Sequence, residues 1–513
     1  MDKILTFSCF FHFFYSNFAL KIKEPHNKGI CMDKLIGRVR EMRELDRACQ
    51  SKRSELVILY GRRRVGKTFL VRSYFHDTYD FHFVGAHNKK QAVQLSNFRK
   101  ALIRYGYADA PELKDWTQAF DCLAELLEKS QSARKIVFID EMPWIDAKQS
   151  DFLTSFEYFW NGWVAERDDI VLVACGSATS WMKEKLEQNQ GGLHNRKTRK
   201  IYLRPFTLHE CQEYLLNQGI DWDEYQIAQC YMVIGGVPYY LSLLRPELSL
   251  PQNIDELFFR RNADLREEFN ELYPALFKKA DRYIAVVRFL ATNRQGFQRV
   301  DIEKATGFGG GGLTKILQNL ERCDFISTYS QYGCNKKMTL YRLCDFYTIF
   351  YLKYVENDNS RDEQFWSHHC NDRGVESWEG FTFEQICLAH LDQIKQGLGI
   401  SGMATESSAW RYVVKKDEAE DDTRKRGTQI DLVIKRADKI IHLCEMKFAS
   451  SEYTITADYA EKLRYRQGLF MNENKLKHGT VFTFVTPYGV AKGKYSSMLH
   501  SELTLRDLFR PID

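Results

Sequence analysis

Residues 61–68 combine two glycines, a lysine and a threonine at a spacing suited to binding phosphate groups. The stretch LVILYGRRRVGKTFLVRSYF contains G-x-x-x-x-G-K-[ST] between an apolar run and a helical pattern. Glycines let backbone N–H groups approach phosphates, and the N-terminus of the following helix adds its positive end. The motif predicts a nucleotide site, in which Lys67 reaches the β and γ phosphates and Thr68 ligates magnesium. The residues expected to line this site are Gly61, Arg62, Arg63, Arg64, Val65, Gly66, Lys67, Thr68 and Phe69.

An apolar strand that ends in two acids, KIVFIDE at residues 135–141, supplies the second half of such a site. Asp140 is expected to hold magnesium through water, and Glu141 to polarise the water that attacks the nucleotide. A third apolar run, IVLVACGSATS, ends at Ser177, which either senses the γ phosphate or is an ordinary polar loop residue. The segment HNRKTRK offers Arg196 and Arg199 as cations for the transition state, with a solvated basic face as the alternative.

Three charged residues interrupt two apolar runs near the end of the chain, in QIDLVIKRADKIIHLCEMKFAS. Asp431 and Glu445 are equally spaced about Asp438, so a hairpin centred there places the two acids opposite each other. The period of two along a strand puts Lys447 on the same face. Facing carboxylates repel unless a positive charge lies between them, which favours magnesium, with Lys447 orienting water or phosphate. An exposed charged face screened by solvent is the alternative.

The elements that must position these residues change in character along the chain. From residue 32 to 205, short apolar runs alternate with helical patterns, which is typical of an α/β core with a parallel sheet. Helical spacing over residues 206–275 predicts a small lid. Residues 276–350 predict three helices and a hairpin, the order of a winged helix. A polar linker is expected at 351–375, followed by a last α/β domain at 376–513.

The third helix of the predicted winged helix, LTKILQNLERC, carries polar residues beside an apolar face. Lys315, Gln318, Asn319 and Arg322 make it a candidate recognition helix for DNA. The alternative is that this unit only packs against the nucleotide-binding core.

Composition sets broad limits on the class of protein. The chain has 513 residues, 44% of them hydrophobic, which is enough for about three folded domains. Its 73 basic and 68 acidic residues leave a net charge of +5, which permits binding to nucleic acid without arguing for it. Thirteen cysteines without a C-x-x-C pair favour a reducing cytoplasm and make zinc an unlikely ligand. No stable membrane association is expected.

Residues 1–31 stand apart from the domains that follow. They include the apolar stretch ILTFSCFFHFFYSNFAL at 4–20, which is short for a membrane span and contains several polar residues. We expect a non-native or disordered extension, with a signal-anchor as the alternative.

Five motifs taken in order resemble the prokaryotic ATPase family of the AAA+/STAND type, found in archaea and many bacteria. They are LIGRVREMREL, YGRRRVGKT, FIDEMPWI, ACGSATSWM and GGVPYYL, and the resemblance covers about residues 33–250. It implies that the nucleotide is ATP, that Gly37 and Arg38 of the IGR box touch the adenine side, and that Pro238 belongs to a second sensor in the lid. The segment GGLHNRKT departs from the family's usual YGR string, which leaves open which arginine acts.

The last domain resembles the PD-(D/E)xK nuclease fold, with Asp431 as the first acid and Glu445-Met446-Lys447 as the E-x-K element. A preceding helix in that fold often supplies another acid, which implies Glu384 as a further metal ligand. Gln429, on the same face, contacts a phosphate or solvent. Many members of the ATPase family carry such a C-terminal domain.

Two functions from different classes follow as expectations. The first is a magnesium-dependent ATPase that acts on DNA through its winged helix and its nuclease-like domain, with a second copy or another protein as a further partner. The alternative is a nucleotide-dependent switch or scaffold whose last domain is inactive.

Overall fold

The computed structural model describes residues 35–146, 150–187, 198–333, 339–413, 427–477 and 479–512. The described chain begins with alternating strands and helices. These are α1 (Val39–Cys49), β1 (Glu55–Tyr60), α2 (Lys67–Tyr74), β2 (Phe81–Val84), α3 (Gln91–Arg104), α4 (Trp116–Lys129), β3 (Lys135–Asp140), α5 (Met142–Ile145), α6 (Phe152–Gly162), a 3-10 turn (Val164–Glu166), β4 (Ile170–Gly176), α7 (Thr179–Trp181), a π-helical turn (Met182–Glu187) and β5 (Arg199–Tyr202).

The first five strands form a parallel sheet in the order β2-β3-β4-β1-β5. Strands β1 and β4 are buried along their whole length, as expected of strands covered by helices on both faces. The carboxyl ends of parallel strands meet at one edge of the sheet, where ligands of open α/β sheets bind. The predicted α/β core with a parallel sheet is confirmed.

Helices alone occupy the next segment of the chain, as the sequence pattern predicted for the lid. They are α8 (Leu208–Asn217), α9 (Glu224–Ile234), α10 (Pro238–Leu241), α11 (Leu250–Ile254), a π-helical turn (Asp255–Phe259) and α12 (Glu268–Leu276).

A unit of helices and a small antiparallel sheet follows at residues 280–343, which we call the helix–hairpin unit. It contains α13 (Ala280–Ala291), β6 (Phe297–Gln298), α14 (Arg299–Thr306), α15 (Gly310–Arg322), β7 (Ile326–Tyr329) and β8 (Leu340–Leu343). Its strands lie in the order β6-β8-β7.

The C-terminal part contains a second five-stranded sheet, in the order β13-β12-β11-β10-β9. Its elements are α16 (Phe346–Phe350), a π-helical turn (Tyr351–Val355), α17 (Phe365–His369), α18 (Arg373–Ala389), α19 (Leu391–Gly397), β9 (Thr405–Tyr412), β10 (Thr428–Arg436), β11 (Ile440–Met446), α20 (Ala457–Glu473), β12 (Gly479–Thr486), a 3-10 turn (Ser496–Met498), β13 (Leu499–Thr504) and α21 (Leu505–Leu508). Antiparallel β10 and β11 pair Leu432 with Cys444, which confirms the hairpin centred on Asp438.

The hydrophobic cores of the described residues divide the chain in a way that the sequence did not predict. One lies against the parallel sheet and uses residues between Leu56 and Leu186. A second is continuous from Phe206 to Phe509, and joins the lid, the helix–hairpin unit and one face of the second sheet. A small one packs α20 against the other face of that sheet. The lid and the C-terminal part therefore share the second core.

The stretch 351–375, predicted as a polar linker, is instead part of this second core. Its polar residues form a loop between two short helices, whose aromatic side chains Tyr351 and Trp366 are buried. The backbone N–H of Trp366 also donates to the buried carboxylate of Asp255 at 2.7 Å. The polar loop resembles a linker in the sequence because the aromatic residues that anchor it in the core flank it on either side.

No helix within the described ranges is long and apolar enough to cross a membrane. The apolar stretch at residues 4–20 lies outside those ranges, as does the rest of the predicted extension. The ten cysteines that the structure describes are free thiols.

Candidate functional site

The loop after β1 holds its lysine in a fixed position. Lys67 begins α2 and is buried, and its ammonium donates to the carbonyl oxygens of Gly61 and Arg62 at 3.1 and 2.8 Å. Gly66 has a left-handed φ of 87°, a backbone conformation that residues with a side chain rarely adopt. No atom lies within 4 Å of the position that a Cβ would take there. The backbone at Gly66 can therefore approach a phosphate closely.

The two oxygens predicted to hold magnesium are in contact. Thr68 Oγ1, in the first turn of α2, donates to Asp140 Oδ2, at the end of β3, at 2.7 Å. A hydroxyl and a carboxylate are hard oxygen ligands, and magnesium bound with a nucleotide usually takes only one or two protein ligands beside phosphate oxygens. The pair therefore fits a magnesium ion that arrives with a triphosphate.

Glu141, the expected base, is held by the tip of the neighbouring strand. Its carboxylate accepts hydrogen bonds from the backbone N–H of Ser177 at 3.1 Å and from Ser177 Oγ at 2.5 Å. The backbone of Glu141 is left-handed, with φ of 46°, which is uncommon for a residue with a side chain and is often found at functional sites. Ser177 therefore orients Glu141, a contact that sequence alone did not suggest.

Two arginines of the loop are engaged away from the phosphate cradle, contrary to the expectation that the whole loop lines the nucleotide. Arg62 is buried and forms an ion pair with the equally buried Asp345, at the N-terminus of α16. Arg64 pairs with the buried Glu268 of α12 at 2.7 Å and stacks on Tyr239. The loop is thereby tied to residues from the lid and from the C-terminal part.

The residues assigned to the adenine side lie at the seam between the ATP-site loop and the lid. Arg38 is buried and donates to the carbonyl oxygens of Arg204 and Val65 at 2.8 and 3.2 Å. Gly37 has a left-handed φ of 62°, and a Cβ there would lie 2.5 Å from Oε1 of Glu210, so the position favours glycine. A cavity of ≈ 800 Å³ borders these residues, and its lining includes Gly37, Arg38, Arg62 and Val237. Pro238, next to Val237, begins α10.

Of the two arginines proposed for the transition state, the structure describes only Arg199, and it is paired with acids. Arg196 lies outside the described residues. Arg199, in β5, pairs with Glu44 at 3.1 Å and with the buried Glu55 at 3.6 Å, so its charge is already neutralised. The segment HNRKTRK gave no indication of these two acids, because they come from distant positions in the sequence.

The candidate recognition helix, α15, is partly covered by the ATP-binding core. Asn319 is buried and accepts a hydrogen bond from Ser180 Oγ at 2.6 Å, while its amide donates to Tyr283. Arg322 pairs with Glu184 at 2.9 Å. Two of the four side chains predicted to face DNA are therefore used to hold the helix–hairpin unit on the core.

In the second sheet, Glu445 is neutralised by protein side chains. Arg466 of α20 forms an ion pair with its carboxylate, and Tyr459 Oη donates to it at 2.7 Å. Lys447 lies 3.8 Å away and is partly exposed. The prediction that magnesium supplies the positive charge beside these acids is therefore not required for Glu445, because Arg466 already supplies a positive charge there.

Asp431 and Glu384 lie in the same electrostatic neighbourhood and lack such a partner. Burial raises the pKa of the Glu384 carboxyl to about 8, with the charge on Asp431 adding to the rise. Burial also raises the pKa of Asp431, with Glu445 adding to it, although Gln429 donates to its carboxylate at 2.6 Å. Both carboxyls thus favour a proton or an added cation.

The described side chains do not form a ready-made metal cage around these acids. Within the described ranges, no group of three His, Cys, Asp or Glu residues is placed to hold a metal ion. The predicted ligand set of Asp431, Glu445 and Glu384 is therefore not assembled as such. Glu384 and Asp431 do line one cavity of ≈ 340 Å³, with Arg294, Arg342 and Arg411 around it.

Sequence reasoning missed the basic and hydroxyl side chains that surround the acids of the second sheet. Arg466 and Tyr459 lie on α20, a helix packed over the hairpin, and Arg342 lies on β8 of the helix–hairpin unit. Arg342 is distant from the E-x-K element in the sequence, and Tyr459 and Arg466 lie in the helix that follows it, so only the packing of these elements brings the three side chains to the acids. Their residue types alone gave no signal.

Comparison with known proteins agrees with the nucleotide site. Residues 35–244 match the family described as an ATPase domain predominantly from Archaea. An uncharacterized protein of Methanocaldococcus jannaschii, MJECL04, is 23% identical over 405 residues, covering 78% of this chain and 83% of that protein.

Two similar solved structures are also ATPases or nucleotide complexes by their descriptions. The Walker-type ATPase PABY2304 of Pyrococcus abyssi has 16% identity and a TM-score of 0.45, over 62% of this chain and 96% of that one. The Aeropyrum pernix ORC2 protein, in ADPNP–ADP complexes, has 14% identity and a TM-score of 0.40, over 64% and 95%. The match over residues 35–244 and the geometry of Lys67, Thr68 and Asp140 together support a P-loop ATPase domain that binds ATP.

Proposed function

We propose that the chain is a magnesium-dependent ATPase whose C-terminal part acts on nucleic acid. The observation that carries the ATPase part is the 2.7 Å contact between Thr68 and Asp140 beside a loop that holds Lys67 in place. Magnesium bound there supplies positive charge to the β and γ phosphates. Glu141, oriented by Ser177, is the group that accepts a proton from the attacking water.

Binding of ATP tests the first half of this proposal. Lys67→Ala removes the ammonium that reaches the phosphates, and we expect ATP affinity with magnesium to fall at least about tenfold. Lys52→Ala, at an exposed position outside the loop, is the matched control and should bind like the wild type. Calorimetry on folded protein measures both, and an unchanged affinity in Lys67→Ala would reject the site.

The C-terminal part is proposed to cleave phosphodiester bonds, with DNA as the expected substrate. The cavity shared by Glu384 and Asp431 is bordered by three arginines, a combination suited to a cation beside a bound phosphate. Glu384 and Asp431 are the groups that would hold magnesium. Glu445 would join them only if Arg466 moved away, and Lys447 is placed to contact the phosphate or the water.

A cleavage assay with magnesium tests this second half. The wild type should cut DNA, whereas Asp431→Asn should lose activity and keep its ATP affinity. The same loss is expected for Lys447→Ala. Activity that survives every one of these substitutions belongs to a contaminant.

A nucleotide-dependent switch is the second candidate, and two observations favour it. Arg62 and Arg64 connect the ATP loop to buried acids of the C-terminal part and the lid. In the second sheet, Arg466 and Tyr459 occupy the carboxylate of Glu445. If ATP changes the protease sensitivity of the C-terminal part while no cleavage is found with any nucleic acid, the switch is the correct function.

A further inference from the structure

The cavity that holds Asp431 and Glu384 has two walls from different parts of the chain. One wall is the hairpin of the helix–hairpin unit, and the other is formed by β9, β10 and α18. Backbone hydrogen bonds join the walls, because the N–H of Ala409 donates to Ser330 O at 3.2 Å and the N–H of Tyr332 donates to Ala409 O at 2.7 Å. The hairpin thus continues the edge of the second sheet at β9.

An arginine from the hairpin faces the acids across this cavity. Arg342, on β8, lines the cavity together with Asp431 and Glu384. Its positive charge opposes the rise in pKa of both carboxyls. Its Nε is buried and has no hydrogen-bond partner among the described residues. Arg342 therefore adds an unused buried donor to the cavity that the two acids also line.

Two of the arginines that border the cavity contact aromatic rings that also line it. The guanidinium of Arg342 lies 5.1 Å from the centre of the Tyr329 ring, and that of Arg294 lies 3.6 Å from the centre of the Phe381 ring. Arg411, on the edge strand β9, adds an exposed cation. Basic groups that follow a backbone, with aromatic faces for the bases, are the features by which proteins bind single-stranded nucleic acid.

The size of the cavity limits what can enter. A volume of ≈ 340 Å³ is at the lower end of the range for small-ligand pockets, which is about 300–1,000 Å³. One nucleotide fits such a space, and a base-paired duplex does not.

We propose that this cavity binds a single-stranded segment of nucleic acid, with a phosphate on Arg342 beside Asp431 and Glu384. Cleavage of that phosphodiester rests on the proposed function, whereas binding of the strand does not. The substrate class is then a free end, a flap or an unpaired region, and not the interior of a duplex. Arg342 makes the helix–hairpin unit a part of the C-terminal site.

Binding in the presence of EDTA separates this inference from catalysis. The probes are a fluorescein-labelled dT12 strand, the same length of oligo(rU), and a 12-base-pair duplex, each titrated into the full chain and followed by anisotropy. We expect a single strand to bind at least about tenfold tighter than the duplex. The tighter of the two single strands identifies the polymer.

The variants identify the contact. Arg342→Ala should weaken strand binding about tenfold or more, because it removes a charge-assisted hydrogen bond to phosphate, and Arg342→Lys should restore part of the affinity. Arg464→Ala, at an exposed position of α20, is the matched control and should bind like the wild type. A thermal unfolding curve like that of the wild type shows that each variant is folded.

Three outcomes decide the matter. Equal affinity for duplex and single strand, or equal affinity in Arg342→Ala and Arg464→Ala, overturns the inference. A strand that is bound through Arg342 but stays intact with magnesium supports the inference and rejects cleavage. Cleavage of duplex interiors without a preference for single strands supports the proposed nuclease and overturns this inference.

Discussion

At the scale of single residues, Arg62 connects the phosphate-binding loop to the C-terminal part of the chain through a buried ion pair. It belongs to the phosphate-binding loop, yet its guanidinium is 2% exposed and paired with Asp345, which is 3% exposed. The Lys67 ammonium binds the backbone carbonyl of the same residue. We therefore expect a change in the loop on triphosphate binding to reach α16 through this buried ion pair.

Removing one charge of this pair should lower the free energy of unfolding more than removing both charges. Asp345→Asn keeps an acceptor for the N-terminus of α16 but leaves Arg62 without its counter-charge, and we expect a cost of about 3–5 kcal/mol. The double variant Arg62→Met with Asp345→Asn should recover part of that cost, because no charge remains buried. Urea unfolding of the three proteins measures the difference. A double variant less stable than Asp345→Asn would show that the uncompensated charge of Arg62 does not cause the loss of stability.

Individual site residues were predicted from the sequence where the signal is local. Lys67, Thr68 and Asp140 were found because motif spacing within one strand–loop–helix unit fixes their neighbours. The pairing of Asp431 with Glu445 followed from the symmetry of a hairpin, which is also local. Arg466, Arg342 and Asp345 were missed, because their positions depend on how distant elements pack.

At the scale of elements, His390 joins the lid to the C-terminal part. It lies between α18 and α19, and its Nε2 accepts a hydrogen bond from the N–H of Leu208, the first residue of α8, at 3.0 Å. Its Nδ1 lies 2.8 Å from Ile386 O, so the neutral ring donates there. A protonated ring would lose the acceptor that α8 uses.

Stability should therefore fall in mild acid. Burial lowers the pKa of His390 to about 4 from an ordinary value of 6.5, so the unfolded chain binds more protons between these two values. The contribution of the neutral ring is present above pH 6.5 and is lost as the pH falls towards 4, which amounts to roughly 3 kcal/mol. Burial lowers the pKa of His442 to about 4 as well, and acts in the same direction.

Thermal unfolding between pH 7 and pH 4 measures this effect. His390→Gln keeps a donor and an acceptor but does not titrate, so its melting temperature should decrease less with falling pH than that of the wild type. His209→Gln, on the partly exposed side of α8, is the matched control. Parallel curves for the wild type and His390→Gln would contradict the assignment.

Elements were predicted well where periodicity is strong and less well where a core is shared. The alternation of strands and helices in the first part of the chain indicated the parallel sheet, because each unit is stabilised largely by its neighbours. The linker prediction failed because Trp366 and Tyr351 are buried by the lid helices, which belong to another part of the sequence.

At the scale of the whole molecule, the hydrophobic cores show which parts are packed together. The lid, the helix–hairpin unit and one face of the second sheet share one core, the parallel sheet has its own, and a further core packs α20 against the other face of the second sheet. The seam between the first two cores contains the ATP loop, the Arg62–Asp345 pair and the contacts of α15 with Ser180 and Glu184. The sequence predicted the lid, the winged helix and the last α/β domain as separate units, whereas the shared core joins them.

The central claim is that residues 61–68, Asp140 and Glu141 bind ATP and hydrolyse it, and Glu141→Gln tests it most directly. Phosphate release and equilibrium ATP binding are measured with magnesium on the same preparations of wild type and variant. The account predicts that the variant binds ATP like the wild type and hydrolyses it at least about 100-fold more slowly, because a general base contributes a factor of that size. Hydrolysis by Glu141→Gln near the wild-type rate, or a wild type that releases no phosphate, would contradict the account.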